Sequence, residues 1–174
     1  MKQIILLISL ISSIFTYTSS DNQANLKDSI NGGWTLIGVG SKVLYYDADN
    51  QLIAERLLPL KVSGTIINVS ENDLIIRNNK NQLINVGYTL DEKSKSEGDI
   101  SIKNCSEVDN DEIASLIDNK NFELKRDNNK TLYLTGNFAP SSDSKLLDKS
   151  IDFDHATVNM IFKKNSFFSD ILPY

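Results

Sequence analysis

The sequence predicts an all-β fold: an antiparallel up-and-down β-barrel of about eight strands with one short helix. Apolar and polar residues alternate with a period of two through most of the chain from Gly33 onward. Polar turn sequences separate these segments, and helices do not alternate with them, which argues against a parallel α/β fold. Alternation alone leaves a barrel and a β-sandwich both open, because each buries one face of an antiparallel sheet.

Composition narrows the possible functions. The chain has 174 residues, with a single cysteine, Cys105, and a single histidine, His155. One cysteine cannot form a disulfide framework, and the cysteines and histidines are too few for a zinc site built from them. Eighteen basic residues against 23 acidic ones give a net charge of −5, which argues against nucleic acid as a partner.

The chain divides into a leader, an arm, one domain and a tail. Residues 1–20 combine Lys2, an apolar run over residues 4–11 and a small, hydroxylated exit, which is typical of a cleaved signal peptide rather than a membrane anchor. Cleavage near Ser20 removes one positive charge and leaves 154 residues with net charge −6. We therefore expect a secreted or periplasmic protein with an arm over residues 21–32, a domain over 33–165 and a tail over 166–174.

The first half of the domain contains several predicted strands. Strand-like sequence runs from Gly33 and through residues 43–46, and the acidic and amide residues 47–50 predict a turn. One parity is shared by Leu58, Leu60, Val62 and Ile66, with Gly64 as a possible bulge or bend. A turn over residues 70–73 leads into a strand over 74–77, and residues 78–81 predict another turn. The clearest half-buried strand carries Ile84, Val86, Tyr88 and Leu90 on one face.

The second half continues the pattern around one helix. Residues 91–99 predict a charged loop, and residues 100–102 a short strand. The spacing of Ile113, Leu116 and Ile117 predicts a helix over 109–119. Strands are expected around Phe122 and Leu124, over residues 132–138 and over residues 156–164, with a hairpin turn at 127–129 and a polar loop at 140–150.

The start of the first strand, Asn31-Gly32-Gly33-Trp34, resembles the Gly-x-Trp motif of the lipocalins, read as Gly32-x-Trp34. The leader, short arm and strand meander are similar to small secreted lipocalin-like domains of bacteria. The resemblance implies an eight-stranded barrel over about residues 30–165 with Trp34 inside its closed end. It also implies a basic side chain over this tryptophan, for which Lys163 and Lys164 are the candidates. The cysteine pairs of many secreted lipocalins are missing, and the family's helix normally follows the last strand.

Two hypotheses of function follow, both non-enzymatic. The first is a binding protein whose barrel interior holds a small apolar or amphipathic molecule, because a barrel of about eight strands is either filled or holds one ligand. The predicted interior residues are Trp34, Tyr88, Leu134, Met160 and Phe162, with the Tyr88 hydroxyl as the polar group. An interior void smaller than about 300 Å³ argues against this hypothesis.

The second hypothesis is a secreted interaction or structural protein with a filled core and no ligand. It expects an exposed apolar patch. The aromatic and aliphatic residues of the tail, Phe167, Phe168, Ile171 and Leu172, are the candidates for such a patch. The identity of a protein partner is unknown, and the sequence has no basic amphipathic face for a membrane surface.

Catalytic, metal and cofactor sites are not indicated. Asp152 and Asp154 alternate around His155, so the three side chains do not converge on one ion. Cys105 has no nucleophile signature around it, and a lone cysteine in a β-rich chain is typically a small buried apolar residue. The acidic turns at 47–50 and 109–112 lack the pattern of a calcium loop.

Overall fold

Nine antiparallel strands and one short helix make up the regular structure of the described residues in the computed structural model. The structure describes residues 25–60, 62–77, 81, 83–103, 121–127 and 130–165. The elements are α1 (Leu26–Ile30), β1 (Gly32–Tyr46), β2 (Leu52–Leu57), β3 (Ile66–Val69), β4 (Asp73–Arg77), β5 (Leu83–Glu92), β6 (Glu97–Lys103), β7 (Asn121–Asp127), β8 (Thr131–Phe138) and β9 (His155–Lys164). The predicted signal peptide, the helix over 109–119, Cys105 and the tail lie outside the described residues.

Eight of the strands close into a barrel. Each strand from β3 to β9 pairs with its neighbour in the chain, and β1 pairs with β3 on one side and β9 on the other. The β1–β9 ladder runs from Trp34 opposite Lys164 to Tyr46 opposite His155. Strand β2 stands outside the closed circle, paired with Lys42–Tyr46 of β1. The predicted barrel is confirmed, and the sandwich that alternation left open is excluded.

The barrel strands turn alternate side chains inward, as the period of two predicts. On β9 the buried residues are Ala156, Val158, Met160 and Phe162, and on β8 they include Leu132, Leu134 and Phe138. On β5, Val86 and Tyr88 are buried, and Ile84 and Leu90 pack against the core. Burial of this apolar surface, worth about 25 cal/mol per Å², holds together a sheet whose described residues contain no cysteine.

A bulge in β1 directs the strand from one neighbour to another. The register between β1 and β9 shifts between Ile37 and Lys42, and beyond this point β1 pairs with β2 instead of β3. At the bulge, the buried Ser41 side chain makes hydrogen bonds to both strands. Its Oγ donates to the Ile37 carbonyl of β1 at 2.5 Å and accepts the Ile161 N–H of β9 at 2.9 Å. Gly40 adopts a φ of +88°, a conformation that L side chains rarely take.

The helix α1 closes one end of the barrel. Its apolar residues Leu26 and Ile30 are fully buried in the core. Asn25 caps the helix by accepting the Asp28 N–H at 2.7 Å, and the Glu92 carboxylate accepts the first two helical N–H groups at 3.2 Å each. The arm expected over residues 21–32 therefore includes α1, which covers one end of the barrel.

The connection over residues 139–154 packs against the opposite end of β1. Its residues Leu146, Leu147 and Phe153 are buried in the core. Tyr45 anchors the segment, because its hydroxyl accepts the Asp148 N–H at 2.7 Å and its ring meets the Phe153 ring edge-on at 5.1 Å. The predicted polar loop is thus a fixed cover whose apolar side chains extend the core.

The parity shared by Leu58, Leu60, Val62 and Ile66 does not correspond to one strand, because β3 begins only at Ile66. The N–H groups of Val62 and Ser63 bond to carbonyls three residues earlier, as in turns rather than a strand, and Gly64 takes a φ of +82°. Leu58 and Val62 are buried while Leu60 is exposed. On β3, Ile67 rather than Ile66 faces the interior. A turn that buries residues 58 and 62 produces the same parity in the sequence as a strand does.

The charged loop predicted over residues 91–99 is also too long. Strand β5 continues to Glu92 and β6 begins at Glu97, so the connection is four residues. The inward position at the start of β6 is Gly98, where an added Cβ would lie 2.7 Å from the Asp91 carbonyl oxygen and 3.0 Å from Leu26. Since the backbone of β5 and the side chain of Leu26 leave no space for a side chain there, the strand lacks the apolar residue that would have identified it.

Candidate functional site

The five predicted interior residues are all buried, but they do not form one site. Leu134 and Met160 are cross-strand partners, and they line one small cavity together with Phe162. The other lining residues are apolar side chains from β3, β4, β6 and β7: Ile67, Leu74, Ile76, Ile100, Ile102 and Phe122. Trp34 and Tyr88 lie elsewhere in the core and do not line the cavity.

This interior cavity is small and entirely apolar in its side chains. Its volume is about 40 Å³. A site for a drug-sized ligand needs roughly 300 Å³ or more, and a cavity without polar partners does not hold a bound water. Among the described residues, the barrel interior is therefore a packed core with a minor void rather than a preformed pocket. A β-barrel remains compatible with a lipocalin-like binding fold.

Trp34 is fully buried beneath α1, where it joins three elements. Its indole Nε1–H donates to the Ile30 carbonyl at 2.7 Å, so the ring is tied to the helix. The Lys164 Nζ lies 5.4 Å from the centre of the ring, within the range of a cation–π contact. Lys164 at the end of β9 is thus the basic side chain expected over the tryptophan. Through Trp34, α1 and the end of β9 are both held against β1.

The Tyr88 hydroxyl is not directed at the cavity as a polar group for a ligand. It donates to the Ser70 carbonyl at 2.8 Å, in the turn between β3 and β4. Burial raises the pKa of Tyr88 above its ordinary value, and the nearby carboxylates of Asp73 and Glu71 raise it further. The side chain therefore remains neutral and serves to hold the turn against β5.

Two of the polar groups considered in the sequence, His155 and Asp47, make local contacts. His155 stacks on Tyr46 with ring centres 5.0 Å apart, and its Nδ1 lies 3.2 Å from the Asp154 carboxylate. In the acidic turn, Asp47 Oδ1 accepts the N–H groups of Asp49 and Gln51. Within the part of the chain that the structure describes, no three Asp, Glu, His or Cys side chains are grouped to hold a metal ion.

Two ligand-sized depressions lie on the outer face of the barrel, across β5 to β8. Their volumes are about 440 and 400 Å³, and both are lined by Lys93, Glu123 and Thr135. In the larger one, Asp91 and Asp99 are cross-strand partners, and Lys93 Nζ lies 2.7 Å from the Asp99 carboxylate. The acidic groups thus already have a cation beside them, as on an ordinary solvated face.

Sequence reasoning missed an exposed apolar surface. Seven large apolar side chains are exposed among the described residues, and five lie between residues 39 and 60. We call these five the 39–60 surface; they are Val39 at 86%, Leu52 at 55%, Ile53 at 45%, Leu57 at 69% and Leu60 at 87% exposure. The other two, Ile75 and Leu83, lie on β4 and β5. The five are grouped by their place in the sequence, and a large contiguous exposed apolar area is typical of an interaction site.

The 39–60 surface follows from β2 being outside the barrel. Val39 stands in the bulge of β1, Leu52, Ile53 and Leu57 belong to β2, and Leu60 is in the following turn. In the described sheet, β2 pairs with β1 on one edge only. The signal in the sequence is the run Leu52–Leu57, set between the Asp/Asn turn and Pro59, but its exposure cannot be read from its apolar content.

Comparisons with known proteins identify no relative. A scan against models of protein families, a search of curated proteins and a search of solved structures each found no match for this chain. Among the described residues, no helix has the length and apolar character needed to cross a membrane.

Proposed function

We propose that this protein is a secreted, non-enzymatic, lipocalin-like barrel that binds a protein partner through its 39–60 surface. The observation that carries the proposal is the contrast between the interior, where the described residues enclose a void of about 40 Å³, and five large apolar side chains exposed on and beside strand β2. An exposed apolar cluster that the fold itself does not require is favoured where a partner covers it.

Secretion and the lipocalin-like character rest on separate features. The charged, then apolar, then small-residue order of residues 1–20 supports export. The Gly32-x-Trp34 motif, the closed eight-stranded barrel and the Lys164 contact over Trp34 together support a lipocalin-like fold. We propose that the protein has no enzymatic activity, because its only histidine, His155, packs on Tyr46 and has no nucleophile motif beside it.

Matched surface variants test the proposal. In Leu57→Asp/Leu60→Asp both changes fall on the 39–60 surface, and in the control Ile75→Asp/Leu83→Asp both fall on exposed apolar residues of β4 and β5. Immobilised wild-type protein is exposed to extracts of its source, retained proteins are identified by mass spectrometry, and each is retested after purification. We expect direct binding to wild type and control and at least a tenfold loss with the first variant. Equal binding by both variants refutes the proposal.

A small apolar ligand inside the barrel is the second candidate function. It is favoured by the position of the cavity, whose lining includes Leu134, Met160 and Phe162, three of the five residues that the sequence pointed to. Methionine is flexible, so Met160 could move to enlarge the space. Native mass spectrometry of the purified protein tests this candidate: an extra mass released on denaturation supports it, and the bare chain mass alone rejects it.

A further inference from the structure

The small void inside the barrel is lined by apolar side chains from both sides of the sheet's closed circle. Its nine described lining residues come from six strands, β3, β4, β6, β7, β8 and β9, and none of the nine is more than 8% exposed. A buried water needs about two to four polar partners. Because the described lining offers no polar side chain, the void of about 40 Å³ is dry.

The walls of the void are stiff. Four of the lining residues are isoleucines, whose branching at Cβ restricts rotation about χ1: Ile67, Ile76, Ile100 and Ile102. Ile67 and Ile76 are cross-strand partners, and Ile100 lies opposite Phe122, so the ladders fix the backbone positions of these side chains. Side chains held in this way do not turn inward to close the gap. The void is therefore a constant feature of the barrel rather than a momentary arrangement of rotamers.

The size of the void selects the molecules that fit it. A cavity needs about 10–15 Å³ to hold one water, and a cavity of about 150 Å³ takes benzene. At about 40 Å³, this void has room for roughly three atoms and excludes a benzene ring. Apolar molecules of this size are gases, among them dioxygen and xenon. They need no hydrogen bonds, and they restore the dispersion contacts that side chains beside a void lack, including those of the polarisable Met160 thioether.

We propose that this void is a reversible binding site for an apolar molecule of gas size, the class to which dioxygen belongs. The inference goes beyond both candidate functions, because it needs neither the 39–60 surface nor a movement of Met160 that enlarges the space. The ligand forms no bond to the chain and is held by packing alone. A bound gas is lost in the vacuum of a mass spectrometer, so a bare chain mass in native mass spectrometry does not bear on this site.

Methyl NMR spectra of the full chain under gas pressure test the inference. The chain has two methionines, Met1 and Met160, so selective ¹³C labelling of methionine and leucine methyl groups gives only two methionine signals. Under rising xenon pressure, we expect the Met160 and Leu134 signals to shift and then saturate, as binding at one site requires. The signals of the exposed Leu83 should change only in proportion to pressure. Dioxygen is paramagnetic and should broaden Met160 and Leu134 more than Leu36, which is buried but does not line the void, whereas dinitrogen should broaden none of them.

Two substitutions of the same kind provide a matched control. Leu134→Phe adds three carbon atoms beside the void and is expected to weaken xenon binding at least about tenfold by occupying the space. Leu83→Phe makes the same change at an exposed position and should bind xenon as wild type does. In Leu134→Ala, which enlarges the void, the Met160 signal should still saturate, so the test does not depend on whether Leu134→Phe folds.

Three results overturn the inference. They are the absence of a saturating Met160 shift in wild type, equal broadening of Leu36 and Leu134 by dioxygen, and equal xenon affinity of wild type and folded Leu134→Phe. None of these results refutes the proposed function, which the matched surface variants test through a natural partner.

Discussion

Shortening Leu134 to alanine tests whether the barrel interior is a packed core. Leu134 is buried, pairs with Leu124 and Met160 on its two neighbouring strands, and lines the existing void of about 40 Å³. Removing three carbon groups loses about 2.4 kcal/mol of transfer free energy, at about 0.8 kcal/mol for each. A new void on the order of 80 Å³ adds about 2 kcal/mol, at about 24 cal/mol per Å³. We therefore expect the free energy of unfolding to fall by about 4 kcal/mol.

Urea denaturation of Leu134→Ala, wild type and the exposed control Leu83→Ala measures this change. The control should differ from wild type by less than about 0.5 kcal/mol, because Leu83 is largely exposed. The enlarged apolar cavity should also admit benzene, so saturating benzene should raise the midpoint of Leu134→Ala and leave wild type unchanged. A loss below about 1 kcal/mol at Leu134, or stabilisation of wild type by benzene, would refute the account of a filled interior.

Three further variants test the bulge in β1, the end of the barrel closed by α1, and the stability of the protein at high pH. Ser41→Ala leaves the Ile161 N–H without its partner and should lower the free energy of unfolding by about 1–3 kcal/mol in urea denaturation. Lys164→Gln removes the cation over Trp34 and should cost about 0.5–1 kcal/mol while changing the emission of this single tryptophan. Because the pKa of Tyr88 is higher in the folded protein than in the unfolded chain, unfolding at high pH releases a proton from this side chain. The stability that the neutral Tyr88 contributes is fully present below the unfolded pKa of about 10 and is lost as the pH rises through the higher folded value. Stability should therefore fall above about pH 10, and less steeply in Tyr88→Phe; equal alkaline slopes would contradict this.

Local patterns predicted most of the barrel strands, because one face of each strand is buried and the other is not. Val158, Met160 and Phe162 alternate with half-buried positions and are themselves buried where the period of two places them. Closure of the barrel requires Tyr46 to pair with His155, more than one hundred residues away, and no local pattern encodes that pairing. The barrel was therefore expected from the Gly32-x-Trp34 resemblance, and only the β1–β9 ladder decides it.

The sequence was less informative about the site because packing and exposure depend on which strands meet. Leu57 and Leu60 look like core residues in a list of apolar positions, but β2 stands outside the barrel and leaves them exposed. Tyr88 looked like a polar group for a ligand, whereas its hydroxyl bonds to Ser70 in a turn that comes 18 residues earlier. The volume left between Leu134, Met160 and Phe162 depends on side-chain packing across six strands, which periodicity does not specify.

The central claim is that the protein acts through its 39–60 surface and not through its interior. The most direct measurement is the affinity of one purified natural partner for Leu57→Asp/Leu60→Asp, compared with its affinity for Leu134→Ala. The first variant changes the exposed surface and leaves the core intact, and the second changes the core and leaves the surface intact. The account predicts at least a tenfold weaker complex with the surface variant and unchanged affinity with the folded core variant. Unchanged affinity with the surface variant would contradict it.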